Sequence, residues 1–216
     1  MMTSTLILYY SRDGHTRRMA NQIARGVSAI DGSEAIIRTV PELTTQLTTQ
    51  PTSQPITGES NNSPVERSVS DRAAEDGLYV TKEELATADA LIVGSPTRFG
   101  NMAAPLKHFF DSTSDLWLSG AMCNKPAAVF TSSSSMHGGQ ESTLFTMMLP
   151  LLHHGMLIIG LPYTEPDLEK TRSGGTPYGP TQVSGQGDSS VMTREEKSLC
   201  LALGKRVATM ASRLSQ

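Results

Sequence analysis

Three polar, glycine-punctuated stretches hold the residues of this chain best suited to gripping a small ligand. The first, Ser11-Arg12-Asp13-Gly14-His15-Thr16, stands between an apolar run and a helical pattern. A helix start there offers free backbone N–H groups and roughly half a unit of positive charge, which suit a phosphate. Ser11 and Thr16 add hydroxyls, and Gly14 allows close backbone approach. The stretch is neither the G-x-G-x-x-G turn that cradles a pyrophosphate nor a Gly-Lys-Ser/Thr loop. Hydroxyls with amides suit one terminal phosphate monoester, although Ser and Thr also cap helices with no ligand involved. The second stretch, Gly94 to Met102, carries Pro96, Thr97, Arg98, Phe99, Gly100 and Asn101. An aromatic beside an arginine in a glycine-flanked loop suits a planar ligand, with amides at the ring edge and Phe99 near its face or at a subunit contact. The third, Ser132, Ser133, Ser134, Ser135, Met136, His137, Gly138 and Gly139, can wrap the other edge.

These loops must be positioned by the elements between them. Leu6-Ile7-Leu8-Tyr9-Tyr10 reads as a strand, and Met19, Ile23 and Val27 mark one face of a following helix, with Arg17, Arg18 and Arg25 toward solvent. Ala35 to Val40 reads as a second strand, Glu83 to Ala88 as a helical turn and Ala90 to Ser95 as a continuous apolar strand. A helix over Ala104 to Asp111 is expected to turn Leu106, Phe109 and Phe110 inward. Ala127 to Ser132 is the fourth strand, Gln140 to Leu152 a Met/Leu-rich helix and Met156 to Leu161 the fifth strand. A Gly/Pro-rich span from Ser173 to Ser190 leads to a last helix, Arg194 to Leu214, opened by a Thr193/Glu196 capping box. The alternation predicts one α/β domain with a doubly wound, five-stranded parallel sheet and helices on both faces. In such sheets ligands bind beyond the carboxyl ends of the strands, where all three loops fall.

From Thr44 to Gly77 the chain turns to Thr, Ser, Gln, Asn and Pro with isolated apolar residues, the composition of a flexible insertion. Net charge is −3 with scattered Lys and Arg, so no basic stripe points to nucleic acid. The start lacks a basic n-region and cleavage site, and no apolar run approaches the ~20 residues that span a bilayer. A soluble, cytoplasmic protein without integral membrane contact is expected. Cys123 and Cys200 lie far apart in no metal-like spacing, and read as one partly exposed and one buried thiol. A receiver domain of the same topology would need acidic residues after its first strand, where Tyr9-Tyr10-Ser11 stands instead.

Tyr-Tyr-Ser-x-x-Gly-His, Ser-Pro-Thr-Arg-Phe-Gly-Asn-Met, His-Gly-Gly-Gln-Glu, His-His-Gly-Met and Gly-Gly-Thr-Pro-Tyr-Gly occur here in order. In this the chain resembles the WrbA family, flavodoxin-like FMN-dependent NAD(P)H:quinone oxidoreductases, over all but the insertion. The resemblance implies FMN, NADH or NADPH as electron donor, a quinone acceptor and a homotetramer whose sites are completed by neighbouring subunits. Ser11, Arg12, Asp13, Gly14, His15 and Thr16 resemble the phosphate loop. Thr97, Arg98 and Phe99, within Pro96 to Asn101, resemble the ring-edge contacts, and Ser132 to Gly138 the second flavin loop. His154 resembles the histidine lining the cavity over the ring and Trp117 the quinone-side aromatic. Asp13 stands where some members have a tyrosine associated with the nicotinamide nucleotide, and its charge would repel a pyrophosphate. The expected reaction is ping-pong through one cavity, with His154 donating to a quinone oxygen.

The residues on their own keep other readings open. Trp117 also suits a core or interface filler; Phe99 and Trp117, on expected loops, suit a subunit contact. His153 and His154 also suit a helix C-terminus. His15 and His108 read as surface or packing side chains, and His137 fits either account. Tyr163 and Gly174 to Gly179 fit a cavity wall, a turn or an interface, and Met147 and Met148 fit the core or an interface. A one-electron flavodoxin would be more acidic and lack the Arg-Phe-Gly-Asn and His-His-Gly elements; a non-enzymatic regulatory protein would hold no flavin.

Overall fold

A computed structural model describes residues 2–43, 78–185 and 191–215. The parallel sheet is built from β1 (Thr3–Tyr9), β2 (Ser33–Thr39), β3 (Ala90–Pro96), β4 (Pro126–Ser133) and β5 (Leu157–Ile158), in the order β2-β1-β3-β4-β5. A further short strand, β6 (Thr181–Val183), pairs with the carboxyl half of β4. The fold is the doubly wound α/β sheet expected from the alternation of elements, of the flavodoxin-like kind that the resemblance implies.

Side-chain alternation splits β1 between two cores: Leu6 and Leu8 face one side and Ile7 the other. On the Ile7 side lie α1 (His15–Val27) and α7 (Arg194–Leu214), which bury Met19, Ile23, Leu199 and Leu203 with Phe130. On the other side α3 (Ala104–Asp111) and α5 (Gln140–His153) bury Leu106, Phe110, Leu144 and Met147. Each such side chain contributes about 1.5–3 kcal/mol by leaving water. Phe109 is only partly buried. The short helix α2 (Lys82–Thr87) and the long α7 both open on capping boxes, Thr81 with Glu84 and Thr193 with Glu196 respectively. α1 and α7 meet backbone to backbone. A Cβ on Gly26 would stand 2.3 Å from the Leu201 carbonyl oxygen, and one on Gly204 2.1 Å from that of Ile23.

The fifth strand departs from the expected Met156 to Leu161. Its ladder ends at Ile158, and at Gly160 the chain turns aside against Pro177, whose carbonyl oxygen would lie 2.3 Å from a Cβ. The vacated edge of β4 is taken by β6, from inside the span read as Gly/Pro-rich loop. Trp117 lies on a short helix, α4 (Ser114–Ser119), not on a loop; a left-handed Gly120 (φ 68°) ends it. Another short helix, α6 (Asp167–Lys170), precedes β6. Cys200 is buried and Cys123 exposed. The insertion at 44–77 lies outside the described residues; the chain re-enters at Leu78, whose carbonyl accepts a bond from Thr39 N–H (2.9 Å). Among the described residues no helix is long and apolar enough to cross a membrane.

Candidate active site

The three loops meet at the carboxyl edge of the sheet. In the first, Gly14 takes a left-handed conformation (φ 82°) and no side chain caps α1, whose first turn carries no acidic residue. The start of α1 therefore keeps its N–H groups and its positive end for an anion. Ser11 Oγ is buried without a hydrogen-bond partner. Thr16 is buried too, but its hydroxyl is engaged with Ser132 Oγ at 3.0 Å, tying the first loop to the third. Arg12 and Asp13 are exposed. Arg18 does not simply face solvent: its guanidinium lies 3.3 Å from the place a Gly14 Cβ would occupy and bonds His15 Nδ1 at 2.8 Å. Partial burial, then Arg18, lower the His15 pKa, which leaves the positive charge on the arginine.

In the second loop buried Ser95 sets the frame. Its hydroxyl donates to the Pro96 carbonyl and accepts from Ala103 N–H at the start of α3, both at 2.8 Å. Thr97 N–H donates to Ser132 C=O (2.8 Å). Thr143 Oγ1 donates to Gly139 C=O (2.7 Å), so the 2.7 Å contact between the two threonines is a donation from Thr97. Thr97 thus holds the loop rather than offering a donor. Arg98 and Asn101 exchange backbone bonds of 2.8 and 3.0 Å around Phe99 (φ 52°) and Gly100 (φ 74°), a tight hairpin turn with both central residues left-handed. Asn-Gly is the favoured pair for such a turn; a bulky side chain there is strained. Phe99 is nevertheless fully exposed, its ring making no compensating contact among the described residues. Among the described residues the N–H groups of Phe99 and Gly100 are not engaged.

The third loop touches the second through glycines: a Cβ on Gly139 would stand 3.0 Å from Gly100 Cα. Ser132 and Ser133 are buried at the end of β4, whereas Ser134, Ser135, Met136 and His137 are exposed. Gly138 N–H closes the turn on Ser135 C=O at 3.2 Å. Beside the second loop lies a cleft of about 590 Å3 lined by Tyr10, Glu42, Arg98, Phe99 and Met102. Tyr10 donates to Glu42, and burial, then that carboxylate, push its pKa up to about 12.

His154 and Trp117 are not at this edge. Gly155, next to His154, accepts from Asn124 N–H at 2.9 Å, two residues before β4 begins. His154 Nε2 is 3.0 Å from Thr113, which leads into the helix carrying exposed Trp117. The six residue rises from Pro126 to Ser132 put ~20 Å between the two ends. Thr113 Oγ1 already donates to Phe110 C=O, so His154 Nε2–H is the donor to Thr113, and Nδ1 is a buried, unpartnered acceptor. Burial, then His153, lower the His154 pKa and favour this neutral form. Sequence patterning missed Arg18, Thr143 and Gln140 as parts of the site, because neither arginines on a helix nor a threonine after glycines announce themselves.

The donors at the carboxyl edge fit FMN: a buried unpartnered hydroxyl and an uncapped helix start for its phosphate, and free amides in two facing loops for the ring. Residues 6–164 match the family model of the NADPH-dependent FMN reductases. A protein named NAD(P)H dehydrogenase (quinone) from Syntrophobacter fumaroxidans is 38% identical over 98% of both chains. One of the same name from Solidesulfovibrio magneticus is 36% identical, again over 98% of both. Among solved structures, a flavodoxin, WrbA-like protein from Agrobacterium tumefaciens superposes with a TM-score of 0.63 at 26% identity, covering 98% of each chain. The chain belongs to the NADPH-dependent FMN reductase family, as a full-length relative of the proteins named NAD(P)H dehydrogenase (quinone).

Proposed function

We propose that this chain is an FMN-dependent enzyme that takes two electrons from NADH or NADPH and passes them to a quinone. The observation that carries the reading is the unpartnered Ser11 hydroxyl and uncapped start of α1 where three loops meet at the carboxyl edge, in a relative of enzymes so named. Bound FMN supplies the redox chemistry, accepting a hydride equivalent from a nicotinamide and yielding two electrons to a quinone. Ser11, the start of α1 and Arg18 hold the phosphate. Phe99 and Gly100 N–H groups meet one edge of the ring, and the backbone from Ser132 to Gly138 the other.

A second copy of the chain completes the site, as expected of a homotetramer. Trp117 and His154 are too far from the loops of their own chain to act there. Phe145, Leu149 and Leu152 form an exposed apolar stripe along α5 between the two ends. The helix spans ~21 Å, about the same as the separation of those ends. Two chains packed antiparallel along α5 would bring the His154 end of each to the loop end of the other. There Trp117 stacks on the quinone and His154 meets a quinone oxygen. With its Nε2–H committed to Thr113, donation from His154 requires prior protonation of the buried Nδ1.

Nicotinamide and quinone use the same cavity in turn. The test is the visible spectrum of purified protein, followed by steady-state rates with NADH and benzoquinone. A flavin spectrum and parallel double-reciprocal lines are expected. Absence of flavin binding overturns the reading, and intersecting lines overturn the shared cavity.

A further inference from the structure

The exposed turn from Ser134 to His137 has little of its own to hold it. Its internal anchor is the Ser135 carbonyl, which accepts from Gly138 N–H at 3.2 Å and from Ser133 Oγ–H at 2.7 Å. The Ser133 proton stays on Ser135 because the group against the Ser133 oxygen is itself a donor and does not compete for it. That group is Gln140, the first residue of α5, which is buried and donates through Nε2 at 2.8 Å. Its Oε1 accepts from Thr181 Oγ1–H on β6 (3.2 Å), and Thr181 Oγ1 accepts in turn from Gly175 N–H (2.7 Å). Every hydroxyl and amide along this path has one direction: Gly175 to Thr181 to Gln140 to Ser133 to the Ser135 carbonyl.

The far end is anchored as firmly. Glu196, wholly buried in the first turn of α7, accepts through Oε1 from Ser173 Oγ (2.7 Å), Gly174 N–H (3.0 Å) and Val183 N–H (3.0 Å). It therefore fixes both flanks of β6 while its other oxygen caps Thr193 N–H at 2.9 Å. The segment between β5 and β6 is thus held in place on one side, and β6 presents Thr181 to Gln140 on the other.

We infer that Gln140, oriented by Thr181, is a positioning residue that sets the conformation of the Ser133–Gly138 loop and through it the grip on the flavin ring. The inference rests on the FMN reading for its functional half. Its chemical basis is the amide's pairing of one donor with one acceptor on the same rigid plane. A carboxylate of nearly the same shape accepts at both ends; Ser133 must then turn its proton to residue 140 and release Ser135. An apolar side chain leaves two buried hydroxyls to find other partners.

The experiment compares wild type, Gln140→Glu and Thr181→Val. Hydrogen exchange of the Ser134–Gly138 amides is followed in the flavin-free protein, alongside the FMN dissociation constant and the midpoint potential of the bound flavin. Both variants are expected to exchange these amides faster, to bind FMN on the order of tenfold more weakly and to show a shifted potential. Their combination should be less than additive, since both act on one path. A purely structural role would lower the thermal midpoint and leave the exchange pattern, affinity and potential unchanged, and that result overturns the inference. If Gln140→Glu does not fold, the same readouts on Thr181→Val decide. If wild type fails to bind FMN, the reading of the site falls, whereas unaltered loop exchange in a variant removes the positioning role alone.

Discussion

Replacing Phe99 by asparagine should make a single chain more stable and the enzyme less active. Phe99 holds φ at 52° in the centre of the Arg98–Asn101 turn, a conformation that costs a bulky L-residue about 1–2 kcal/mol. Asparagine tolerates that conformation and is favoured before glycine in such turns. The Phe99 ring is fully exposed in the chain, so nothing is lost from the core when it is removed. The expected net gain is about 1 kcal/mol, or about 2–4 °C in thermal midpoint for a domain of this size. It is to be measured by circular dichroism on flavin-free protein, dilute enough to sediment as single chains. At higher concentration the same variant should retain FMN yet turn over quinone more slowly, as expected if the strained backbone holds the Phe99 ring out for a ligand or a neighbouring chain. A destabilisation of a kilocalorie or more in the dilute sample would show that Phe99 packs within its own chain. Unchanged turnover would show that the strain serves neither ligand nor neighbour.

Other substitutions test the parts separately. Trp117→Ala should raise the quinone KM about two- to tenfold and leave flavin affinity unchanged, since stacking is worth about 0.5–1.5 kcal/mol beyond burial; steady-state kinetics with several quinones would check this. For His154, the lowered folded pKa means that the unfolded chain binds the proton first as pH falls through the ordinary value of 6.5. Stability from the neutral side chain is therefore present above that value and declines below it, and thermal midpoints across this range should fall less in His154→Gln. Protonation that weakens the fold also supplies the missing donor, so stopped-flow quinone reduction should accelerate as pH falls in wild type and lose that acceleration in His154→Gln. Asp13→Tyr should lower the KM for NADH by up to about fivefold with FMN affinity unchanged, because an exposed charge contributes only about 1 kcal/mol at most.

Much of the frame is legible in the sequence because single elements carry their own signals. Met19, Ile23 and Val27 recur at helical spacing, and Thr193 with Glu196 marks the start of α7 to the residue. β3 and β4 are continuous apolar runs, which only a strand covered on both faces requires. β6 carries no such signal: Thr181–Val183 is a strand because β4 offers it a free edge, a property of the partner rather than of the three residues. The site divides the same way. Glycines and hydroxyls locate the three loops, but whether a hydroxyl is free is a question of three-dimensional neighbours. Ser11 remains unpartnered while Thr16 and Thr97, equally plausible as donors on the page, are engaged in holding loops together. The resemblance supplies Trp117 and His154, and only the course of the chain shows that they stand at the other end of the sheet.

The glycine contact between α1 and α7 has a consequence for the making of the protein. Gly26 and Gly204 let the two helices touch, and α7 covers the apolar face of α1, the helix proposed to hold the phosphate at its start. Those two helices are separated by most of the chain. At ordinary translation speeds the ribosome needs roughly ten to thirty seconds to travel from the end of the first to the start of the last. Throughout that interval the apolar face of α1 lacks its cover, and the nascent chain can fold the sheet around β1 only provisionally. Flavin binding is therefore expected only once α7 has docked on α1, and a message truncated before α7 should yield protein that never turns yellow.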